Sequence, residues 1–164
     1  MLTFRKAAKA DIELLSNMAH EIWMGYYPSI ITKEQIEYML QLMYSQNAIE
    51  QELNKGVVWE VIAFDSEPIG FLSYAIFDKL DIKLNKLYLK IGHHSKGFGR
   101  KALEHVIGYA KDNSFKRVYL TVNKNNVQAI KVYEKAGFVC TESVVNDIGG
   151  GFVMDDYIYS YWIE

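Results

Sequence analysis

The sequence predicts a mixed α/β fold with about six or seven strands. Before residue 57 the apolar residues recur mainly at helical spacing, whereas from residue 57 they form the short runs typical of strands. The central part then reads strand, helix, strand, helix, strand, an order that calls for a sheet with helices packed against it. With 164 residues, two prolines and no linker-like stretch, residues 1–164 are expected to form a single domain.

The first 56 residues are predicted to contain a strand and two amphipathic helices. LTFRKA is the strand, and residues 9–27 carry apolar side chains at helical spacing, with Asp11 able to cap their start. Pro28 ends that helix or follows its end. A second helix begins at Thr32 in TKEQIEYMLQLMYS, with its apolar residues in one stripe.

Three strands follow. GVVWEVIAF and IGFLSYAIF flank the turn sequence DSEP and form a predicted hairpin, and DIKLNKLYLKIG is the third strand. In this third strand the apolar residues change phase, from Ile82 and Leu84 to Leu87 and Leu89. A bulge near residues 85–86 would restore the alternation and turn the strand away from its neighbour.

The remaining elements are two helices, a strand and a closing hairpin. A helix is predicted from about Gly97 to Asn113, followed by the strand KRVYLTVN. The next helix, NNVQAIKVYEKAGF, stops at Gly137, a typical C-terminal glycine position. VCTESVV and FVMDDYIYSYWI flank the turn NDIGGG.

Composition argues against several classes of function. The net charge is −2, so no basic field suggests a nucleic-acid or anionic-membrane partner. One cysteine excludes an internal disulfide and favours a reducing, cytoplasmic location, and neither a signal peptide nor a membrane helix is expected. The histidines 93, 94 and 105 lack metal-ligand spacing, so no metal is predicted.

The stretch HHSKGFGRKALEHV places Gly97 and Gly99 directly before a helix. In that geometry backbone N–H groups and the helix N-terminus converge on an anion, and glycine lets the backbone approach a pyrophosphate. Neighbouring cations and a hydroxyl add to the effect: Ser95, Lys96, Arg100 and Lys101. A P-loop and a dinucleotide fingerprint are both excluded by the residues that follow the glycines.

A second motif lies about thirty residues further on. In NVQAIKVYEKAGF, Asn126 and Tyr133 are seven residues apart, so they share one helical face about 10 Å apart by helical rise. Together the two motifs resemble those of the GNAT superfamily of N-acetyltransferases. The resemblance covers roughly residues 57–163, and the first 56 residues match it only in their strand–helix–helix order.

The resemblance implies a mixed, mostly antiparallel sheet that is splayed between its fourth and fifth strands, where acetyl-CoA binds. It implies direct attack of a primary amine on the acetyl thioester, with Tyr133 as general acid for the departing CoA thiolate. Asn126 either hydrogen-bonds the cofactor arm or caps its helix. The residues implied in cofactor binding are Leu87, Tyr88, Leu89, His94, Ser95, Lys96, Gly97, Phe98, Gly99, Arg100, Asn126, Ala129 and Tyr133.

Two departures from the family pattern stand out. His94 occupies the position where relatives have arginine or glutamine. The fourth strand lacks the glutamate that serves many relatives as general base, since the stretch holds Lys83, Asn85 and Lys86. Asp155, Asp156 and a chain of water molecules are candidates for that role, although each aspartate is more often simply a solvated strand residue.

Alternatives remain open at this level. The expected acceptor is a small-molecule or peptide amine. The two N-terminal helices lie in the region that, in relatives, forms the wall of the acceptor pocket. Their aromatic residues belong either to the core or to that pocket: Trp23, Tyr26, Tyr27, Tyr38 and Tyr44. A non-catalytic acyl-CoA-binding sensor or scaffold is the second function considered, and a nucleotide-phosphate binder is the third. The fold is also compatible with a homodimer.

Overall fold

The computed structural model describes all 164 residues and contains the seven predicted strands and five α-helices, four of which were predicted. The strands are β1 Leu2–Lys6, β2 Val58–Phe64, β3 Glu67–Ile76, β4 Asp81–Leu89, β5 Arg117–Asn123, β6 Val139–Gly149 and β7 Phe152–Trp162. The helices are α1 Ile12–Tyr26, α2 Lys33–Tyr44, α3 Gln46–Asn54, α4 Phe98–Asp112 and α5 Val127–Lys135. No helix is long and apolar enough to span a membrane.

All seven strands belong to one mixed sheet with the order β1-β2-β3-β4-β5-β7-β6. The pairs β1–β2, β2–β3, β5–β7 and β6–β7 are antiparallel, whereas β4 and β5 are parallel. The register of the parallel pair covers only Asp81 to Lys83 opposite Arg117 to Tyr119. This short register confirms the predicted divergence of the fourth and fifth strands.

The chain divides into two compact units. The first comprises residues 1–74 and 86–98, and the second comprises residues 75–85 and 99–164. Strand β4 therefore contributes its first half to the second unit and residues 86–89 to the first.

In the first unit the core forms from the apolar stripes of α1 and α2 and from the buried residues of β2 and β3, among them Leu15, Ile36, Trp59, Ile62 and Phe71. Thr32 caps α2 as predicted, because its hydroxyl accepts a hydrogen bond from the Gln35 amide at 3.2 Å. Asp11 precedes α1 without capping it. Its carboxylate instead accepts from the Ala8 amide at 2.8 Å and from the Arg5 guanidinium at 2.9 and 3.0 Å.

Helix α3 was not predicted from the sequence. Ser45 begins it, with its hydroxyl accepting from the Ala48 amide at 3.2 Å. Only Ile49 of this helix is buried, so the segment lacks the apolar stripe on which sequence-based recognition of a helix depends.

In the second unit α4 buries the apolar face that its sequence predicted, through Ala102, Leu103, Val106, Ile107 and Ala110. Helix α5 ends at Lys135, and Gly137 follows with a φ of 99°, which confirms the predicted C-terminal glycine.

Strand β4 alternates regularly up to Lys86, and residues 87–89 are all half-buried, so the bulge near residues 85–86 stays a prediction. Its buried positions run Ile82, Leu84 and Lys86 in unbroken alternation. Lys86 takes the inward position because Glu52 lies 3.5 Å from its Nζ and the Trp59 and Tyr44 ring centroids lie 5.1 and 5.5 Å away. A cation can occupy such a site only when it is paired in this way.

Candidate active site

The glycine turn connects β4 to α4. A single 3₁₀ turn over Ile91–His93 is followed by a turn and bend over residues 94–97, and α4 begins at Phe98. Ser95 and Gly97 adopt positive φ values of 62° and 80°, and a Cβ added at Gly97 would meet no atom within 4 Å. The backbone of this turn is therefore accessible just before the helix N-terminus, where the first amides have no intrahelical partner.

The side chains around the turn differ in exposure. Ser95, Lys96 and Arg100 are exposed, and Gly99 is half-buried. Phe98 is buried with its ring 5.0 Å from that of Phe64, which anchors the start of α4.

His94 holds the turn to the end of β4. Its Nε2 lies 2.8 Å from the carbonyl oxygen of Leu89, and the Tyr26 ring meets its imidazole edge-on at 5.7 Å between centroids. The His94 side chain thus bonds to the chain's own backbone and fixes the turn.

The end of β4 lies close against β3 in the first unit. The Lys90 amide donates to the Ile69 carbonyl at 2.8 Å, and a Cβ at Gly70 would overlap the Tyr88 carbonyl oxygen and lie 2.9 Å from Leu89 Cδ2. Leu87, Tyr88 and Leu89 are all half-buried. Only glycine at position 70 allows the backbone of residues 87–89 to take this course.

Helix α5 carries the other predicted residues, all in the second unit. Asn126 is 5% exposed, and its side-chain oxygen caps the helix by accepting from the Ala129 amide at 3.3 Å. Tyr133 is half-buried, with its ring 6.1 Å from that of Phe138. Glu134 accepts a hydrogen bond from the Tyr159 hydroxyl at 3.1 Å, which ties the helix to β7.

Aromatic side chains from α1, α2 and β4 form a cluster in the first unit, hereafter the aromatic cluster: Trp23, Tyr27, Tyr44 and Tyr88. Trp23 stacks on Tyr27 at 4.2 Å and lies 5.5 Å from Tyr44 and 5.6 Å from Tyr88. The indole nitrogen of Trp23 and the hydroxyl of Tyr44 are both buried within the cluster. Burial also raises the pKa of Tyr44 well above its ordinary value, so the hydroxyl stays protonated.

The other two N-terminal aromatic residues lie outside this cluster. Tyr26 is half-buried beside Tyr27. Tyr38 lines a surface groove of about 320 Å³ along α2 and α3, together with Gln41, Leu42, Ser45, Asn47, Ala48 and Gln51.

The two candidate bases differ sharply in environment. Asp155 is exposed and forms an ion pair with Lys124 at 2.7 Å, whereas Asp156 is 2% exposed. Sequence alone could not distinguish these neighbours. No group of three or more histidine, cysteine, aspartate or glutamate side chains is arranged to hold a metal ion.

Comparison with known proteins identifies the family. The model of the acetyltransferase (GNAT) family matches residues 16–138. A spermidine N(1)-acetyltransferase of Thermoplasma acidophilum is 27% identical over 159 residues, which is 94% of this chain and 96% of that protein. A spermine/spermidine N(1)-acetyltransferase of Bacillus subtilis is 29% identical over 83 residues, covering 46% of this chain and 55% of that relative.

Solved structures agree in fold. The PaiA N-acetyltransferase of Thermoplasma acidophilum, crystallised with coenzyme A, superposes with a TM-score of 0.84 at 25% identity over 99% of both chains. The protein YncA of Salmonella typhimurium, solved with acetyl-CoA, has a TM-score of 0.68 at 17% identity over 99% of this chain and 94% of that one, which shows the fold alone. The predicted fold and acetyltransferase class are confirmed. The chain belongs to the GNAT family of acetyltransferases.

Proposed function

We propose that this protein transfers the acetyl group of acetyl-CoA to a primary amine by direct attack within a ternary complex. The observation that carries the proposal is the glycine turn before α4, where Gly97 leaves an accessible backbone at a helix N-terminus. A diphosphate fits this arrangement because backbone amides and the helix dipole both favour an anion there. The CoA ligands of two related structures support the choice of cofactor.

In this proposal the turn residues 94–100 bind the pyrophosphate, and the backbone of residues 87–89 binds the pantetheine arm and polarises the acetyl carbonyl. His94 contributes by fixing the turn, since its imidazole is engaged with the Leu89 carbonyl. Asn126 contributes by ordering the start of α5, and Ala129 supplies the amide that Asn126 caps. No metal takes part in this scheme.

Tyr133 is proposed as the general acid. The phenol gives its proton to the sulfur of CoA as the carbon–sulfur bond breaks. The contacts of its helix with Phe138 and Tyr159 support this role, because they fix the orientation of α5.

We propose a polyamine as the acceptor, in preference to a peptide lysine. The Thermoplasma acidophilum relative, which matches over 96% of its length, is named a spermidine N(1)-acetyltransferase. A Salmonella typhimurium relative named peptidyl-lysine N-acetyltransferase matches less of each chain, with 24% identity over 70% of this chain and 72% of that protein. Within the aromatic cluster only Tyr88 is not fully buried, and together with the half-buried Tyr26 it offers a ring of the kind that attracts ammonium groups.

An amine panel tests this function. Purified protein with acetyl-CoA is given spermidine, spermine, a lysine-containing peptide or free amino acids, and CoA thiol release is measured. Release that depends on spermidine or spermine and exceeds release with the peptide supports the proposal. Turnover of the peptide alone would refute the acceptor assignment, and no turnover with any amine would favour the alternative below.

The alternative is a non-catalytic acyl-CoA-binding sensor or scaffold. The specific observation in its favour is that β4 carries Lys83, Asn85 and Lys86 and no carboxylate in the stretch where many relatives have their base. This alternative predicts CoA binding without thiol release.

Three further expectations stay predictions: a cytoplasmic location, a homodimer and a single domain over residues 1–164. The single cysteine is compatible with the first. Size-exclusion chromatography with light scattering would test the second.

A further inference from the structure

Strand β7 carries a buried carboxylate that the proposed scheme leaves without a role. Asp156 is 2% exposed, and its Oδ1 has no hydrogen-bond partner. Buried carboxylates are almost always hydrogen-bonded or paired, because burying an unsatisfied charge is costly. A carboxylate kept with a free oxygen is available to accept a proton.

The position of Asp156 links it to α5. In the sheet register Asp156 lies opposite Asn123, the last residue of β5, and opposite Val144 of β6. The Asn123 carbonyl accepts from the Asn126 amide at 2.9 Å, closing the turn from which α5 starts. Asp156 therefore lies across from the turn that leads to Asn126 and Tyr133.

The charged groups around Asp156 come from three elements. Lys83 of β4 and Lys124, which follows β5, favour its ionised form, whereas Asp155 on β7 opposes it. Lys124 is already paired with Asp155, with which it forms the 2.7 Å ion pair. Burial has the largest effect and, together with Asp155, raises the pKa of Asp156 to about 6.

That environment suits a general base. A primary amine with a pKa near 10 is mostly protonated at neutral pH, so a proton must be removed before nitrogen can attack. A base works best when its own pKa lies near the operating pH. A carboxylate that is deprotonated above about pH 6 meets this condition, whereas an exposed aspartate with an ordinary pKa is a weaker base.

We propose that Asp156 is the general base that accepts the proton of the acceptor ammonium, directly or through one water molecule. This assignment rests on the proposed acetyl transfer. The freed amine attacks the acetyl carbonyl carbon, the carbon–sulfur bond breaks, and Tyr133 protonates the sulfur. The nitrogen of the newly formed amide still carries one extra proton, which returns to Tyr133 through solvent, and Asp156 releases its proton to water. Each turnover therefore yields one amide, one CoA thiol and one proton.

The test is a pH–rate profile of the wild type, Asp156→Asn and the matched control Asp155→Asn. It uses the amine of the panel with the highest turnover. For the wild type we expect the rate to fall below about pH 6 as Asp156 becomes protonated. Asp156→Asn should lose roughly 10²-fold or more at pH 7.5 and show no break near pH 6, because its rate rises continuously towards high pH as free amine accumulates. Asp155→Asn should keep the rate at pH 7.5, with its acidic limb moved to lower pH because Asp155 helps to raise the pKa of Asp156.

CoA-induced thermal stabilisation separates this proposal from the one on which it rests. Asp156→Asn should still be stabilised by CoA, which shows that it folds and binds. A wild type that turns over amines while Asp156→Asn keeps its rate, or keeps the limb near pH 6, would overturn the base assignment alone. A wild-type profile without that limb would also overturn it, whether or not the variant folds. Failure of the wild type to turn over any amine would refute the transferase proposal and the base assignment with it.

Discussion

Tyr133 is held by packing in a way that lets its hydroxyl be tested separately from its ring. The ring contacts Phe138, and the tyrosine backbone carbonyl accepts from the amides of Ala136 and Phe138. Tyr133→Phe keeps the ring and removes only the proton donor. We expect kcat to fall roughly 10²-fold with unchanged CoA affinity.

Tyr161→Phe is the matched control, because Tyr161 contacts the same Phe138 and lies outside the proposed catalytic residues. It should leave the rate within about twofold of the wild type, a shift within the usual scatter of surface substitutions. Equal rates for Tyr133→Phe and the wild type would remove Tyr133 from the mechanism.

Burial of Asp156 also makes the free energy of unfolding depend on pH. Its pKa is raised from 3.8 to about 6 by folding, so the folded state binds the proton more tightly than the unfolded state. The stability that this tighter proton binding contributes is fully present below about pH 4 and is lost as pH rises to about 6. The free energy of unfolding of Asp156→Asn relative to the wild type should therefore rise by on the order of 2 kcal/mol across that window.

Urea denaturation at pH 4, 5, 6 and 7 measures this effect. Asp155→Asn should show a smaller gain, because Asp155 accounts for only part of the rise in the pKa of Asp156, to which burial contributes most. A wild type that becomes more stable than Asp156→Asn as pH rises would mean that the carboxylate is well satisfied by the fold.

For single residues, the sequence reveals which side chains are charged but not which of them are buried. Lys86 and Asp156 appear as ordinary polar strand residues, and their states depend on partners distant in the chain, such as Glu52 for Lys86. Asn126, in contrast, was predictable as a cap from its local pattern, because capping involves a residue only three positions away.

Among the elements, the glycine turn offers a controlled test of anion binding. Gly97 and Gly56 both have positive φ values, 80° and 86°, and neither has an atom within 4 Å of an added Cβ. Alanine at either position should cost about 1 kcal/mol of stability through backbone strain alone. Only Gly97→Ala should also weaken CoA binding, because its Cβ lies where the phosphates are expected to approach.

Isothermal titration with CoA, alongside thermal unfolding, compares the two variants. A Gly97→Ala variant that binds CoA as tightly as Gly56→Ala would show that the turn is structural and has no part in phosphate binding.

Strand β4 depends on Gly70 for its position in the first unit. Alanine at Gly70 would overlap the Tyr88 carbonyl oxygen and crowd Leu89, so β4 must shift. We expect a loss of about 1–3 kcal/mol from overpacking, with reduced CoA affinity in the protein that remains folded. Gly92→Ala, at an open position without positive φ, should be neutral by thermal unfolding. A neutral Gly70→Ala variant would contradict the close approach of the strands.

The order of elements was largely readable from the sequence, because α1, α2, α4 and α5 each have an apolar stripe or a capping signal. Helix α3 was missed since it buries only Ile49. In β4 the inward position of Lys86 was not predictable from the sequence, because the expected alternation counts apolar residues only.

For the whole molecule, two motifs and the strand order pointed to the family before any fold was known, because those motifs are local. The acceptor and the base depend on side chains brought together by folding, such as the aromatic cluster and the surroundings of Asp156. These parts of the site could not be predicted from spacing along the chain.

The central claim is that this fold binds CoA, and thermal unfolding with CoA, acetyl-CoA, ATP and NAD in parallel tests it most directly. Ligand at about a hundred times its dissociation constant should add about 2.7 kcal/mol of stability. We predict a clear rise in Tm with CoA and acetyl-CoA and little change with ATP or NAD. No rise with either CoA species, or an equal rise with ATP, would contradict the account.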